Sequence, residues 1–303
     1  MPGVYLVKES KRYYPFDTYL SHTLGYVGID NQGLSGLELM YEEYLTGKDG
    51  AIKYYSDAKG NKLKLTEVYE KPQNGMNITL TINNDIQSSI ERELDNAVIK
   101  YNPDRAIALA MDPNSGAILG MSARPNFSPN NYQNYTGETI NRNLPIWATF
   151  EPGSTFKIVT TLEYMRENSG YTGYTYDCEG KIEEAGTTIS CYSGRVHGEL
   201  DLRDSFAHSC NSSFCNIGLT LDIAEFKNTA EDLLFDKKLP CELTYNKSVF
   251  ALEKGDGEAA EMMTAMGQGE TQVSPYHMAL ITSAIANGGK LMKPYLVDSV
   301  TNY

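Results

Sequence analysis

No apolar run in this 303-residue chain approaches the roughly 20 residues of a membrane span, and the N-terminus has no signal-peptide pattern. Basic charge is in deficit: 26 Lys and Arg stand against 39 Asp and Glu, a formal net charge of -13. That argues against a sequence-independent nucleic-acid binder, which needs basic surface to displace counterions. It also leaves no basic segment for anionic lipid headgroups. There is no Cys-x-x-Cys among Cys178, Cys191, Cys210, Cys215 and Cys241. The histidines, His22, His197, His208 and His277, show no ligand spacing, which argues against zinc. No Gly-x-x-x-x-Gly-Lys-Ser/Thr loop occurs, so a phosphate cradle of that type is excluded.

What is present fits an ordinary globular protein. Hydrophobic residues make up 41% and charged residues 21%, and the length suggests about two domains with a sizeable core. Cys178 and Cys191 flank a short segment rich in turn residues. In an oxidising compartment they could pair, or they could stay separate thiols. The odd cysteine count leaves at least one thiol free in either case.

Residues 1 to about 75 are rich in Tyr, Gly and charge. They carry short apolar stretches such as Tyr5-Leu6-Val7, and an amphipathic helical pattern at Leu37, Tyr41, Tyr44 and Leu45. Asp57-Ala58-Lys59-Gly60-Asn61 reads as a hairpin turn. Pro72-Gln73-Asn74-Gly75 marks a boundary. Beyond it, Asn77 to Ile82 alternates like a strand. A helix follows over about 85–100, with Ile86, Ile90, Leu94, Ala97 and Val98 as its buried stripe. Strands over 105–112 and 117–123 flank the turn Pro113-Asn114-Ser115-Gly116. The segment from about Asn168 to Leu200 reads as irregular. A helix after Pro275 has Met278, Ile281, Thr282 and Ile285 facing inward and stops at Asn287-Gly288-Gly289. Together these elements predict an α+β fold, a sheet with helices packed on it.

The chemistry centres on Glu151-Pro152-Gly153-Ser154-Thr155-Phe156-Lys157. Pro152 and Gly153 end a loop, and Phe156, Val159, Leu162 and Met165 then predict one buried helix stripe. Ser154 and Lys157 lie one turn apart. A hydroxyl becomes a nucleophile when a base takes its proton, and a lysine can be that base where burial favours the neutral amine. The serine's place at a helix start would let backbone N–H groups assist a developing oxyanion. Alone, Ser-x-x-Lys also describes a capping serine and a solvated lysine. Further on, Ser209-Cys210-Asn211 offers a hydroxyl that can relay a proton and an amide that can hold the lysine and substrate. His197 precedes Gly198 in a turn-like context, and the Ser154–Lys157 pair makes a histidine base unnecessary.

The longer string Glu151–Lys157 resembles the active-site serine motif of class B penicillin-binding proteins. Ser209-Cys210-Asn211 resembles their Ser-x-Asn motif. Gly267-Gln268-Gly269 with Val273-Ser274-Pro275 is similar to a further family string, as are Arg124-Pro125-Asn126-Phe127 and Asn141-Arg142-Asn143. Arg12-Tyr13-Tyr14-Pro15, His22–Gly28 and Gly33–Glu38 resemble the family's non-catalytic N-terminal domain. The resemblance implies a serine transpeptidase/β-lactamase-like domain over 76–303, preceded by part of a pedestal domain over 1–75.

It also implies a peptidoglycan D,D-transpeptidase. Ser154 would be the nucleophile, Lys157 the general base, Ser209 the proton relay and Asn211 the positioning amide, with no metal or organic cofactor. The implied partners are peptidoglycan stem peptides on a lipid-linked precursor or nascent glycan, β-lactams as inhibitors, and cell-wall synthesis membrane proteins, with no nucleic acid. An inactive scaffold or a β-lactam sensor is the competing reading. The implied setting is extracytoplasmic on a single N-terminal membrane anchor absent from these residues, which are expected to be an excised extracytoplasmic fragment. The family's Lys-Ser/Thr-Gly strand is expected beyond Tyr303. Without it, very slow or no acylation is expected, with aggregation or instability from an unpaired sheet edge and exposed apolar surface.

Overall fold

Helix formation after the first boundary is set by Asn83, whose side chain accepts from the N–H groups of Asp85 and Ile86 and caps α1 (Asn84–Tyr101). The computed structural model describes residues 10–58, 63, 68–169 and 172–302. Tyr5-Leu6-Val7 and the tip of the expected turn, Lys59–Asn61, lie outside the described residues. Ten strands are described: β1 (Ala51–Lys53), β2 (Val68–Glu70), β3 (Asn77–Leu80), β4 (Ala106–Met111), β5 (Ile118–Arg124), β6 (Tyr176–Cys178), β7 (Lys181–Glu184), β8 (Thr187–Ser190), β9 (Gly198–Leu200) and β10 (Val297–Thr301). Their pairings, β1–β2, β3–β10, β4–β5, β6–β9 and β7–β8, are all antiparallel.

The chain divides into two compact units, one taking residues up to Pro145 with Cys241–Leu243 and Met292 onward, the other Ile146–Pro240 with Thr244–Leu291. In the first, α1 packs on β5. Leu94 of the expected stripe is buried, while Ile86, Ile90, Ala97 and Val98 are half-buried. The most enclosed residue of α1 is a polar one. Gln87 is fully buried because its amide bridges the strand backbone, accepting from Met121 N–H at 2.8 Å and donating to Met121 O at 3.3 Å. Arg124 is buried between Glu91 (2.9 Å) and Asp95 (2.7 Å). The N-terminal segment docks on this frame by side-chain anchors. Leu20 N–H donates to Glu91 and Tyr14 exchanges two bonds with Asn130. Tyr26 stacks on Tyr132 with ring centroids 4.4 Å apart. The pattern at Leu37–Leu45 forms two short helices, Gly36–Met40 and Glu42–Leu45, rather than one.

The second unit is built on helices α2 (Lys157–Glu167), α3 (Leu202–Ala207), α4 (Asn211–Gly218), α5 (Ile223–Asp232), α6 (Glu258–Ala265) and α7 (Pro275–Ala286). Its core gathers Phe156, Val159, Phe214, Ile217, Phe226, Phe235 and Phe250. The segment expected to be irregular carries four strands instead. Ile182 and Ile189 face each other across the β7–β8 hairpin and point inward onto Cys215 and Met262, a pair that the many Gly, Tyr and Thr residues around it obscure.

Two helix faces are rotated from expectation. On α2, Thr160, Glu163 and Tyr164 are buried, with Leu162 and Met165 only half-buried. A 3.6-residue turn carries a strict every-third pattern off the core face. On α7, Tyr276, His277, Leu280 and Ile281 are inside, whereas Thr282 and Ile285 are exposed. No helix of the described residues is long and apolar enough to cross a membrane.

Candidate active site

Phe156 is the anchor of the serine motif. Its ring is fully buried against Phe235 (5.5 Å, perpendicular), Phe226 (6.0 Å) and Phe250 (6.1 Å). That fixes the chain two residues after Ser154 and one before Lys157. Ser154 sits on a 3-10 turn, Gly153–Phe156, that runs directly into α2. The turn is clamped from the Gly267 side: Gly153 N–H donates to Gly267 O at 2.7 Å. Gly267 has φ +83°, and a Cβ there would lie 1.9 Å from Gly153 O, so only glycine allows this approach. Gly267 of the Gly267-Gln268-Gly269 string thus serves backbone geometry.

Ser154 and Ser209 are exposed, whereas Lys157 is only 1% exposed. Lys157 Nζ lies 3.3 Å from Ser154 Oγ, 3.1 Å from Ser209 Oγ, 2.8 Å from Ser209 O and 2.8 Å from Asn211 Oδ1. The structure therefore brings together all four residues singled out from the sequence. Burial pushes the Lys157 ammonium down to about 8, a shift that surrounding cysteines oppose only in part. Its polar partners here are neutral oxygens, and the Phe214 ring lies 5.2 Å from Nζ. Such an amine can lose its proton near neutral pH.

The second motif is placed by the α3–α4 corner. Asp201 caps α3 by accepting from Asp204 N–H. Ser209 then takes a left-handed conformation, φ +50°, and turns its carbonyl and hydroxyl to the lysine. Asn211 opens α4, and its Nδ2 donates to Ser190 O at 3.1 Å, which leaves Oδ1 facing Lys157. That support from the end of β8 was missed in the sequence reading, which left this segment without strands.

Cys178 and Cys191 are unbonded thiols with Sγ atoms 3.7 Å apart. His197 lies against Cys178 Sγ (3.3 Å) and stacks on His208, away from the Ser154 hydrogen-bond set.

An exposed serine hydroxyl over a buried lysine, joined to a second serine and an amide on an α+β frame, is the arrangement of the penicillin-recognising serine proteins. Residues 106–303 match the penicillin-binding protein transpeptidase domain, and residues 1–80 match the penicillin-binding protein dimerisation domain. The chain belongs to the penicillin-binding protein transpeptidase family. Among curated relatives it is 41% identical to Stage V sporulation protein D of Bacillus subtilis (strain 168), over 99% of this chain and 48% of that protein. It is 28% identical to the peptidoglycan D,D-transpeptidase FtsI of Escherichia coli (strain K12), over 99% and 50%. The chain thus spans about half the length of the curated relatives it matches. In fold it is similar to a peptidoglycan synthetase from Bifidobacterium adolescentis ATCC 15703, with TM-score 0.79, 23% identity, and 96% of this chain and 53% of that one covered. It is also similar to penicillin-binding protein 2X from Streptococcus thermophilus, with TM-score 0.76, 22% identity, and 95% and 44% covered.

Proposed function

We propose that this chain is the nucleophile-bearing part of a peptidoglycan D,D-transpeptidase that works through a serine acyl-enzyme. The observation that carries the reading is the buried, depressed lysine within hydrogen-bond reach of Ser154, Ser209 and Asn211. Neutral Lys157 takes the Ser154 hydroxyl proton as Oγ attacks the penultimate D-Ala carbonyl of a stem peptide. The Oγ–C bond forms, the C–N bond to the terminal D-Ala breaks, and the departing amine receives a proton through Ser209. An amine from a neighbouring stem then attacks the ester, gives up its proton to the same relay and restores Ser154. Asn211 holds the lysine and orients the incoming peptide by its amide. A β-lactam enters the same path: its ring C–N bond breaks and Ser154 is left acylated.

On this reading, residues 1–75 are a non-catalytic pedestal and 76–303 belong to the transpeptidase domain. The protein works outside the cytoplasmic membrane on a single anchor, with membrane proteins of cell-wall synthesis as partners. The test supplies the full-length protein with a stem peptide ending in D-Ala-D-Ala and an acceptor amine. The expected outcome is release of one D-Ala per cross-link formed, lost in Ser154→Ala. Absence of both D-Ala release and β-lactam acylation in the wild-type protein would overturn the proposal.

A further inference from the structure

The second unit holds a cluster that the transpeptidase reaction does not use. Cys178 ends β6, Cys191 follows β8, His197 precedes β9 and Cys210 caps α4. Three separate turns bring them together. The β6–β9 pairing sets Cys178 opposite Gly198, next to His197, and Cys191 N–H donates to Gly180 O at 2.9 Å. Their Sγ atoms and a His197 ring nitrogen all lie within 4.8 Å of one another. Cys178 and Cys210 are fully enclosed, Cys191 is 3% exposed and His197 is half-buried.

The spacing is that of ligands around one small ion. A tetrahedral zinc with bonds of about 2.3 Å to sulfur and 2.0–2.1 Å to nitrogen puts sulfurs about 3.8 Å apart, and sulfur about 3.5 Å from nitrogen. Cys178 and Cys191 Sγ are 3.7 Å apart, Cys191 and Cys210 Sγ are 3.7 Å apart, and Cys178 Sγ is 3.3 Å from His197 Nδ1. The surroundings suit thiolates. Gly180 N–H points at Cys178 Sγ (3.4 Å), and the Ser212 hydroxyl lies 3.2–3.4 Å from all three sulfurs.

We infer that Cys178, Cys191, His197 and Cys210 form a structural zinc site. Three cysteines and one histidine close the coordination shell, leaving no open position for catalysis. Binding would expel the three thiol protons and leave a neutral imidazole ligating through Nδ1. The absence of Cys-x-x-Cys misleads here, because the four ligands come from separate points along the chain.

The site has a consequence that rests on the transpeptidase reading. Cys210 is the middle residue of Ser209-Cys210-Asn211, whose outer members hold Lys157 Nζ. An ion bound to Cys210 ties the proton-relay turn to the β6–β9 strand pair and the β7–β8 hairpin. Cys210 and its three co-ligands are positioning residues in this sense.

The test is metal analysis of the full-length protein, purified under reducing conditions and passed through a weak chelator. The expected result is about one zinc per chain, falling about tenfold or more in Cys178→Ser and in Cys191→Ser. If a variant fails to fold, cobalt(II) loading of the wild-type protein decides: thiolate-to-cobalt charge-transfer bands and a tetrahedral ligand-field spectrum are expected. Reduced wild-type protein that takes up neither zinc nor cobalt overturns the site, as does a Cys–Cys cross-link that persists under reductant and excess zinc. For the positioning role, stripping the metal with a strong chelator should slow penicillin acylation about tenfold or more, with recovery on adding zinc alone. Unchanged acylation in the stripped protein overturns the positioning role. Zinc content is read without activity, so failure of the zinc site and failure of the transpeptidase reading are distinguishable.

Discussion

The depressed lysine dictates the pH profile of acylation. An amine with a pKa of about 8 is neutral in about one molecule in eleven at pH 7, whereas one at its ordinary 10.5 is neutral in about one in 3000. Burial of Lys157 therefore raises the population of the active base about 300-fold at neutral pH. With Lys157 as the base, the rate constant for acylation by a chromogenic β-lactam should climb about tenfold between pH 7 and pH 9 and level off above that. Stopped-flow measurement on the full-length protein gives the profile directly. A flat profile from pH 6 to 9, or a rise that begins only near pH 10, would refute the assignment. Stability follows the same shift. The folded-state pKa lies below the unfolded value, so protonation opposes folding. The penalty is fully present below pH 8 and is relieved as pH rises from about 8 toward 10.5, so this lysine makes stability increase across that window.

Asn211→Asp places a carboxylate where an amide oxygen now sits 2.8 Å from Lys157 Nζ. It should favour the ammonium and move the acylation profile to higher pH, which the same stopped-flow series reads. Gly267→Ala drives a Cβ into Gly153 O at 1.9 Å from a positive-φ position. Thermal or denaturant unfolding should show a loss of about 2 kcal/mol or more, with slowed acylation. Gly186→Ala, also at positive φ but with nothing within 4 Å, should cost only about 1 kcal/mol and leave acylation unchanged. Arg124→Ala removes the cation beside the largely buried Glu91 carboxylate and leaves it only the neutral donors Leu20 N–H, Gln87 and Ser122. It should destabilise the protein by about 3–5 kcal/mol in denaturant unfolding.

Much of the site was legible because its residues lie in two short strings. Ser154 and Lys157 are one helical turn apart, and the longer string Glu151–Lys157 around them, rather than that spacing alone, pointed to their chemistry. What the strings could not show is how Ser209 and Asn211 reach Lys157 from more than 50 residues away, since that depends on the left-handed Ser209 and the Ser190 carbonyl behind Asn211. The helix faces were read only in part because apolar periodicity ignores buried polar groups. Glu163 sits on the core face of α2 because Thr229 donates to its carboxylate, and Gln87 is enclosed on α1 because it pairs with the Met121 backbone. The strands between Asn168 and Leu200 were hidden by length. Three or four residues with one buried side chain each (Cys178, Ile182, Ile189, Leu200) give little alternation to count. The cysteine–histidine cluster was the least visible feature, with ligands 13, 6 and 13 residues apart (191−178, 197−191, 210−197) that only folded hairpins bring together.

The most direct test of the central claim is to acylate the full-length protein with a penicillin, digest it and locate the adduct by mass spectrometry. A single adduct on the peptide carrying Ser154 is expected, with none in Ser154→Ala and slow formation in Lys157→Ala. An adduct on another serine, or undiminished labelling of Ser154→Ala, would contradict that claim.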